Sequence, residues 1–506
     1  MAPVRVRFAP SPTGYLHIGG LRTALFNYLF AKKNGGSFIL RIEDTDRTRY
    51  VPDALTDIMA SLRWLGIEWD EGPDTPGAFG PYTQSERLSL YREAAEELIA
   101  SGHAYRCFCT AERLEEMRAA QKNETRYDGR CRDLPKEEAE RLMAAGTPYV
   151  VRLAAPRSGT TLVRDFLRGD VAFENALQDD LVLLKGDGFP TYHLAHVVDD
   201  HAMEITHVLR GEEWLPSTPK HVLLFAAFGW TPPLYVHLPV ILSPSGGKLS
   251  KRDGATNVRE FIEMGYLPEA MTNFLALLGW SFDGERSMFT LPELEQEFVL
   301  EKIGMASPVF DRAKLDDYNG KYIRMAGDAE LAARCRPYLI AAGLLPPAVP
   351  EGTQARELDD HALLLAIMPL YRERLVHIQD IVDQARFFFS DDIEYRGGDV
   401  FLTKKTTREE AAAILSGAES ALGALAGFTH DGIESCLRAL VDEISPRLAV
   451  PKNAVRQVFM TLRVALTGRE VSPGLFEIME VLGRGRCLSR IAAARLSVGK
   501  GDGGAP

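Results

Sequence analysis

Apolar residues fall at strand spacing from Val4 to Ala9 and then at helical spacing, at Leu21, Leu25, Tyr28 and Leu29. Between them lies a turn-rich loop, Pro10-Ser11-Pro12-Thr13-Gly14. The pattern predicts a helix from about Gly19 to Lys33, stopped by Asn34-Gly35-Gly36, and a second strand from Phe38 to Ile42. A strand–helix–strand unit predicts parallel strands joined by a right-handed crossover. The expected fold is therefore α/β, with a doubly wound, Rossmann-type parallel sheet. Tyr105 to Ala155 is less regular and is expected to be an insertion. Strand and helix patterns resume from Asp180 to Ile241, and helix dominates from Pro268. Beyond about residue 330 the chain is almost wholly helix-like, as from Glu409 to Ala426. The expected layout is an α/β domain over 1–330 with an insertion at about 105–155, an all-helical domain over 331–496, and a disordered Gly-rich tail over 497–506.

Bulk properties narrow the class. A chain of 506 residues is long enough for two or more cores. No apolar run approaches a membrane span, and the N-terminus has neither a signal core nor an amphipathic leader. Six cysteines in this length do not make a disulfide framework, which points to a reducing, cytoplasmic setting. The net charge of −12 argues against a non-specific nucleic-acid coat but not against a specific RNA enzyme. From Arg447 to Lys500 there are ten Lys/Arg against three acids, Glu470, Glu477 and Glu480. That imbalance reads either as solvated helix faces or as a phosphate-facing surface.

Two short motifs carry the chemistry. His17-Ile18-Gly19-Gly20 lies between the first strand and its helix, and Lys248-Leu249-Ser250-Lys251-Arg252 follows Gly246-Gly247 in a loop. In an open parallel sheet, ligands bind beyond the carboxyl ends of the strands. Phe8-Ala9-Pro10-Ser11 and Arg41-Ile42-Glu43-Asp44 lie there, facing the positive end of the first helix, which suits a polyphosphate. His17 can donate to a phosphate oxygen, although alone it would read as a helix cap. Gly19 and Gly20 allow close approach of a nucleotide. Lys248 and Lys251 offer two mobile cations to a pyrophosphate leaving group, and the glycines before them let the loop close. The strand from Val236 to Ile241 can pair its backbone, at Val240 and Ile241, with an adenine edge.

The two motifs together resemble the HIGH and KMSKS motifs of class I aminoacyl-tRNA synthetases, with Gly20 in place of the final His. Longer stretches are similar to the bacterial glutamyl-tRNA synthetases: Arg7 to Gly14, Leu40 to Asp46, Pro81 to Ser85, Tyr127 to Arg130, Pro190 to Leu194, Leu209 to Trp214 and Pro473 to Met479. The resemblance implies ATP-dependent activation of L-glutamate and its transfer to the 3′ end of tRNA-Glu, with tRNA-Gln left open. It gives catalytic roles to His17, Lys248 and Lys251, and an ATP site of Thr13, His17, Gly19, Gly20, Glu213, Val240, Ile241, Lys248 and Lys251, with Mg²⁺.

A dicarboxylic amino acid needs cations for its carboxylates and an anion for its ammonium. Arg7 and Arg210 suit the first need and Glu43 the second; the alternative for Arg7 and Glu43 is an ordinary cross-strand pair. The resemblance adds Ala9, Ser11 and Tyr192, and also His196, which stands where many relatives carry Asn and whose charge would depend on pH.

In the insertion, Cys107, Cys109, Cys131 and Asp133 stand where some members hold structural Zn²⁺ with a Cys-x-Cys and a Cys-x-His pair, so that Asp replaces the usual His here; Tyr127 is an alternative ligand, and three reduced thiols are the alternative to any metal. Cys335, Cys436 and Cys487 read as core. By resemblance the enzyme is a monomer, 243–330 contacts the tRNA stem, and the helical domain reads the anticodon, around Tyr371-Arg372-Glu373-Arg374. The rivals are a glutamylating enzyme that modifies a tRNA base, a cofactor nucleotidyltransferase and a synthetase-derived RNA-binding protein. The first two lack the helical half, and the third predicts loss of His17 or Lys251, both present.

Overall fold

The computed structural model describes residues 3–120, 126–254, 256–347, 354–390, 393, 395 and 406–499. The chain forms two compact units: 1–262 with 268–315, and 263–267 with 316–506.

In the first unit, β1 (Arg5–Phe8) and β2 (Ser37–Leu40) pair in parallel and are joined by α1 (Ile18–Lys33), as the spacing predicts. Leu21, Leu25 and Leu29 are fully buried, and so are Ala24 and Asn27, because α1 is covered on most sides. The side-chain nitrogen of the buried Asn27 donates to the carbonyls of Thr23 and Leu209. The turn into β2 requires Gly36: a Cβ there would lie 2.2 Å from the Val4 carbonyl oxygen.

The insertion holds β3 (Ala104–Cys107) and β4 (Val150–Leu153). A hairpin follows, β5 (Thr160–Asp165) against β6 (Gly169–Glu174). Then β7 (Val182–Leu184) returns to pair with β4. The sheet β3-β4-β7 is antiparallel, so this subdomain reaches past the limit expected near 155. Helix Tyr192–Ala202 leads to β8 (His207–Gly211), and helix Thr218–Ala227 joins β8 to β9 (Leu234–Leu238) in a second parallel strand–helix–strand unit. A four-stranded sheet runs β6-β5-β9-β8. The Thr206 amide donates to the Arg5 carbonyl at 2.9 Å, which sets β1 beside β8. The carboxyl ends of β1, β2, β8 and β9 therefore open on one edge.

The second unit is helical, with long helices at Asp328–Ala341, Gln354–Tyr371, Arg408–Ala424, His430–Ile444 and Ala454–Thr467, and a final helical segment Leu475–Gly499 broken by a kink at Gly483. Thr407 and Glu410 close a reciprocal cap at the start of the third of these. Gly417 lets it pack closely, since a Cβ there would lie 2.7 Å from Leu440 Cδ1. The last helix runs through Gly499, so 497–499 are not a tail; residues 500–506 lie outside the described residues. Tyr371 is fully buried and bonds the Gln384 carbonyl at 2.7 Å, which makes it a core residue and not a base-stacking one. Cys335 and Cys487 are fully buried, whereas Cys436 is half-buried.

Candidate active site

A cavity of about 500 Å³ opens at the carboxyl ends of β1 and β8. One end is built on the start of α1. His17 is the N-cap, and its Nδ1 accepts from the Gly19 amide at 3.0 Å. That bond puts the proton of a neutral ring on Nε2. His17, Gly19, Gly20, Val240, Ile241, Lys248 and Glu213 all line the cavity. Thr13 does not; its amide closes a turn on the Ser11 carbonyl. Lys248 Nζ rests on Glu213 Oε1 at 2.9 Å. Lys251 opens the short turn Lys251–Asp253, capped by Ser250 and Asp253; its side chain lies outside the described residues.

Sequence reasoning missed Arg22. It lines the cavity from α1 and holds the carbonyls of Leu278, at 3.2 Å, and Pro239. Burial pulls its pKa down to about 10, against the pull of Glu213 and Glu212. The available signal was a single arginine set among the apolar residues Leu21, Ala24 and Leu25 of α1. Trp214 was also missed; its ring lies 4.5 Å from that of Tyr192.

At the other end the cavity meets Arg7, Ala9, Ser11, Glu43, Tyr192 and Arg210. Arg7 and Glu43 are not a cross-strand pair. Arg7 Nε donates to Asp200 Oδ1 at 3.1 Å, and Glu43 Oε1 accepts from Arg41 Nη2 at 3.0 Å. Arg41 is fully buried and also donates to Asp200, at 2.6 Å. Burial opposes ionisation of Asp200, yet Arg7 and Arg41 hold its carboxyl below the usual range. Burial pushes the Glu43 carboxyl up, against Arg41 and Arg7. An ammonium group placed beside Glu43 would stabilise its charged form.

His196 is not among the residues that line the cavity. It is fully buried behind Tyr192, the two rings stacked at 5.3 Å, with Nδ1 3.4 Å from Arg7 Nη2 and Nε2 3.5 Å from Arg210 Nη1. Burial, and then Arg210 and Arg7, hold its pKa well below 6.5. The expected substrate contact with pH-dependent charge is thus replaced by a neutral ring between two arginines, because helix Tyr192–Ala202 turns this position inward.

In the insertion the sulfurs of Cys107, Cys109 and Cys131 lie within 4.8 Å of one another. The Cys109 and Cys131 sulfurs are 3.6 Å apart, too far for a disulfide. Tetrahedral zinc with bonds of about 2.3 Å requires roughly 3.8 Å between sulfurs, so the set can hold a metal. Asp133 is not part of it. Its carboxylate is exposed and pairs with Arg157 at 2.7 Å, since two further residues of turn carry it outward. Tyr127 Oη stands there instead, 3.3 Å from Cys107 Sγ and 3.4 Å from Cys109 Sγ.

Residues 3–317 match the family described as tRNA synthetases class I (E and Q), catalytic domain, and residues 330–495 match an anticodon binding domain. The chain is 48% identical over 497 residues to a glutamate–tRNA ligase of Dehalococcoides mccartyi, covering 97% of each. It is 47% identical over 502 residues to one of Roseiflexus castenholzii, covering 97% of this chain and 96% of the relative. A crystal structure of a glutamate tRNA ligase from Elizabethkingia meningosepticum, in complex with its amino acid, aligns with a TM-score of 0.82 at 36% identity, over 98% of this chain and 99% of that one. Likeness of this extent runs through both halves of the sequence, and the chain belongs to the class I tRNA synthetases for glutamate and glutamine.

Proposed function

We propose that the chain is a glutamate–tRNA ligase. The observation that carries the reading is one cavity with a helix N-terminus, His17 and Lys248 at one end and Arg7, Arg210 and Glu43 at the other. A nucleotide triphosphate and a dicarboxylic amino acid fit that division of charge. A glutamate carboxylate oxygen attacks the α-phosphorus of ATP, and the bond to pyrophosphate breaks. His17 Nε2 and Lys248, with Lys251 as its partner in the motif, stabilise charge on the phosphates as it develops. Glu43 takes the ammonium, Arg210 the side-chain carboxylate, and Ser11, Ala9 and Tyr192 shape the pocket. The ribose hydroxyl of tRNA then attacks the activated carbonyl and AMP leaves. Mg²⁺ accompanies ATP. Six free cysteines suit a reducing cytoplasm, and no described helix is long and apolar enough to cross a membrane. The test is charging of purified tRNA-Glu and tRNA-Gln with labelled glutamate. Glutamylation of tRNA-Glu is expected; none of either tRNA would refute the reading.

The three-cysteine cluster is read as a structural zinc site, with Tyr127 or water as the fourth ligand. Protein prepared without chelator should carry about one zinc per chain. Asp133→Ala should retain it fully and Cys109→Ser should lose it, by metal analysis. Loss in the aspartate variant would restore Asp133 as a ligand.

The basic stretch from Arg447 to Lys500 contributes fewer free cations to RNA than its composition implies. Arg490 bonds the carbonyls of Leu466, Phe387 and Ser390, Arg486 that of Phe388 and Arg463 that of Pro473. Arg469 pairs with Asp383, Arg495 with Glu419, and Arg484 holds the Leu425 carbonyl. Arg447, Lys452 and Arg456 are exposed near the start of helix Ala454–Thr467 and are the better phosphate contacts. Replacing all three by alanine should weaken tRNA binding and lower the slope of log affinity against log salt by about 2 to 3. An unchanged slope in filter binding would assign them to solvent.

A further inference from the structure

Arg210 is held differently from its neighbours Arg7 and Arg41. Arg7 and Arg41 share the Asp200 carboxylate, at 3.1 and 2.6 Å. Arg210 is held by neutral groups. Its Nε donates to His237 Nε2 at 3.1 Å, Nη1 to Tyr192 Oη at 3.1 Å and Nη2 to Thr218 Oγ1 at 2.8 Å. Among the described residues no carboxylate forms an ion pair with it. Through His237, one acid is reached one residue removed. Asp165, at the end of β5, accepts from the His237 amide at 3.0 Å and from its ring Nδ1 at 2.7 Å, both at Oδ2. Its Oδ1 accepts from the amides of Leu167 and Arg168, at 3.0 and 2.9 Å.

A carboxylate can only accept, so His237 Nδ1 must carry a proton. Nε2 of the neutral ring is then an acceptor, the role that Arg210 Nε–H needs. His237 is fully buried on β9, and burial lowers its pKa although Asp165 raises it. We propose that Asp165 and His237 are positioning residues that fix the orientation of the Arg210 guanidinium while leaving its charge for the side-chain carboxylate of glutamate. A carboxylate bonded directly to Arg210 would fix it equally well but neutralise it, and would weaken the preference for an acid over an uncharged amide. A neutral imidazole holds it without that loss, and Asp165 sets the tautomer from a distance. The inference rests on the reading of Arg210 as the side-chain carboxylate's partner.

The test measures KM and kcat for both substrates by pyrophosphate exchange, with tRNA present, in His237→Leu, His237→Gln, Asp165→Asn and Arg210→Gln. His237→Leu removes the acceptor. His237→Gln puts an amide oxygen near the place of Nε2. Asp165→Asn no longer forces the tautomer. The leucine and asparagine variants should raise the KM for glutamate by about ten- to a hundredfold, the size of a lost hydrogen bond to a charged group. The KM for ATP should stay within about twofold, because those residues do not touch the nucleotide end. The glutamine variant should recover most of the loss. Should the leucine variant fail to fold, Asp165→Asn and the glutamine variant still decide. Equal shifts in the two KM values, or no shift in Asp165→Asn while Arg210→Gln is impaired, would overturn the relay alone. Unimpaired glutamate use in Arg210→Gln would overturn both the relay and the reading beneath it.

Discussion

Arg210→Gln should reduce kcat/KM for glutamate by about 10²- to 10³-fold, because a buried carboxylate deprived of its cation loses several kcal/mol. The loss should fall on glutamate and not on ATP. Arg210 is 5% exposed and reaches the cavity beside Tyr192, at the end away from the helix N-terminus. Its own bonds are to His237, Tyr192 and Thr218, so removing the guanidinium strands no buried carboxylate of the protein. The fold should therefore survive, and thermal unfolding should confirm that. Steady-state pyrophosphate exchange with glutamate varied, then ATP varied, separates the two substrates. Unchanged KM and kcat for glutamate would end the assignment.

Lys248→Ala should slow adenylate formation by about 10²- to 10³-fold, the usual cost of losing one preorganised stabiliser of transition-state charge. Without ligand, Lys248 sits on Glu213 at the cavity edge. If that surface pair were merely structural, Glu213→Gln would cost as much as Lys248→Ala, and both would cost little, since exposed pairs contribute about 0–1 kcal/mol. A catalytic lysine predicts asymmetry: a large loss for Lys248→Ala and a small one for Glu213→Gln. Single-turnover measurement at saturating ATP and glutamate reads the chemical step directly. Small effects in both variants would remove Lys248 from catalysis.

The parts of the site that were legible are local ones. A strand end, a glycine turn and a helix start lie within one short stretch from Arg7 to Gly20, so side chains that share a cavity edge are close in sequence. The same holds for the glycine-flanked loop of Lys248. What was not legible is set across long separations. The Arg210–His237–Asp165 chain joins three strands, β8, β9 and β5. The hairpin β5–β6 escaped notice partly because its pattern runs against hydrophobicity: Thr161 is buried and Leu162 is 44% exposed.

By itself, then, the sequence determined the strand–helix–strand unit, the division into an α/β and a helical part, and the residue types gathered for phosphate and carboxylate. Local backbone preference and hydrophobic period encode the elements, and Gly and Pro mark their ends. Tertiary structure alone decided which cation meets which anion. It turned His196 inward as a neutral ring between Arg7 and Arg210, tied Asp133 to Arg157 and away from the cysteines, and tied most of the C-terminal arginines to carbonyls and acids. A charged side chain's role depends on its burial and its nearest partners, and those partners come from segments that only folding brings together.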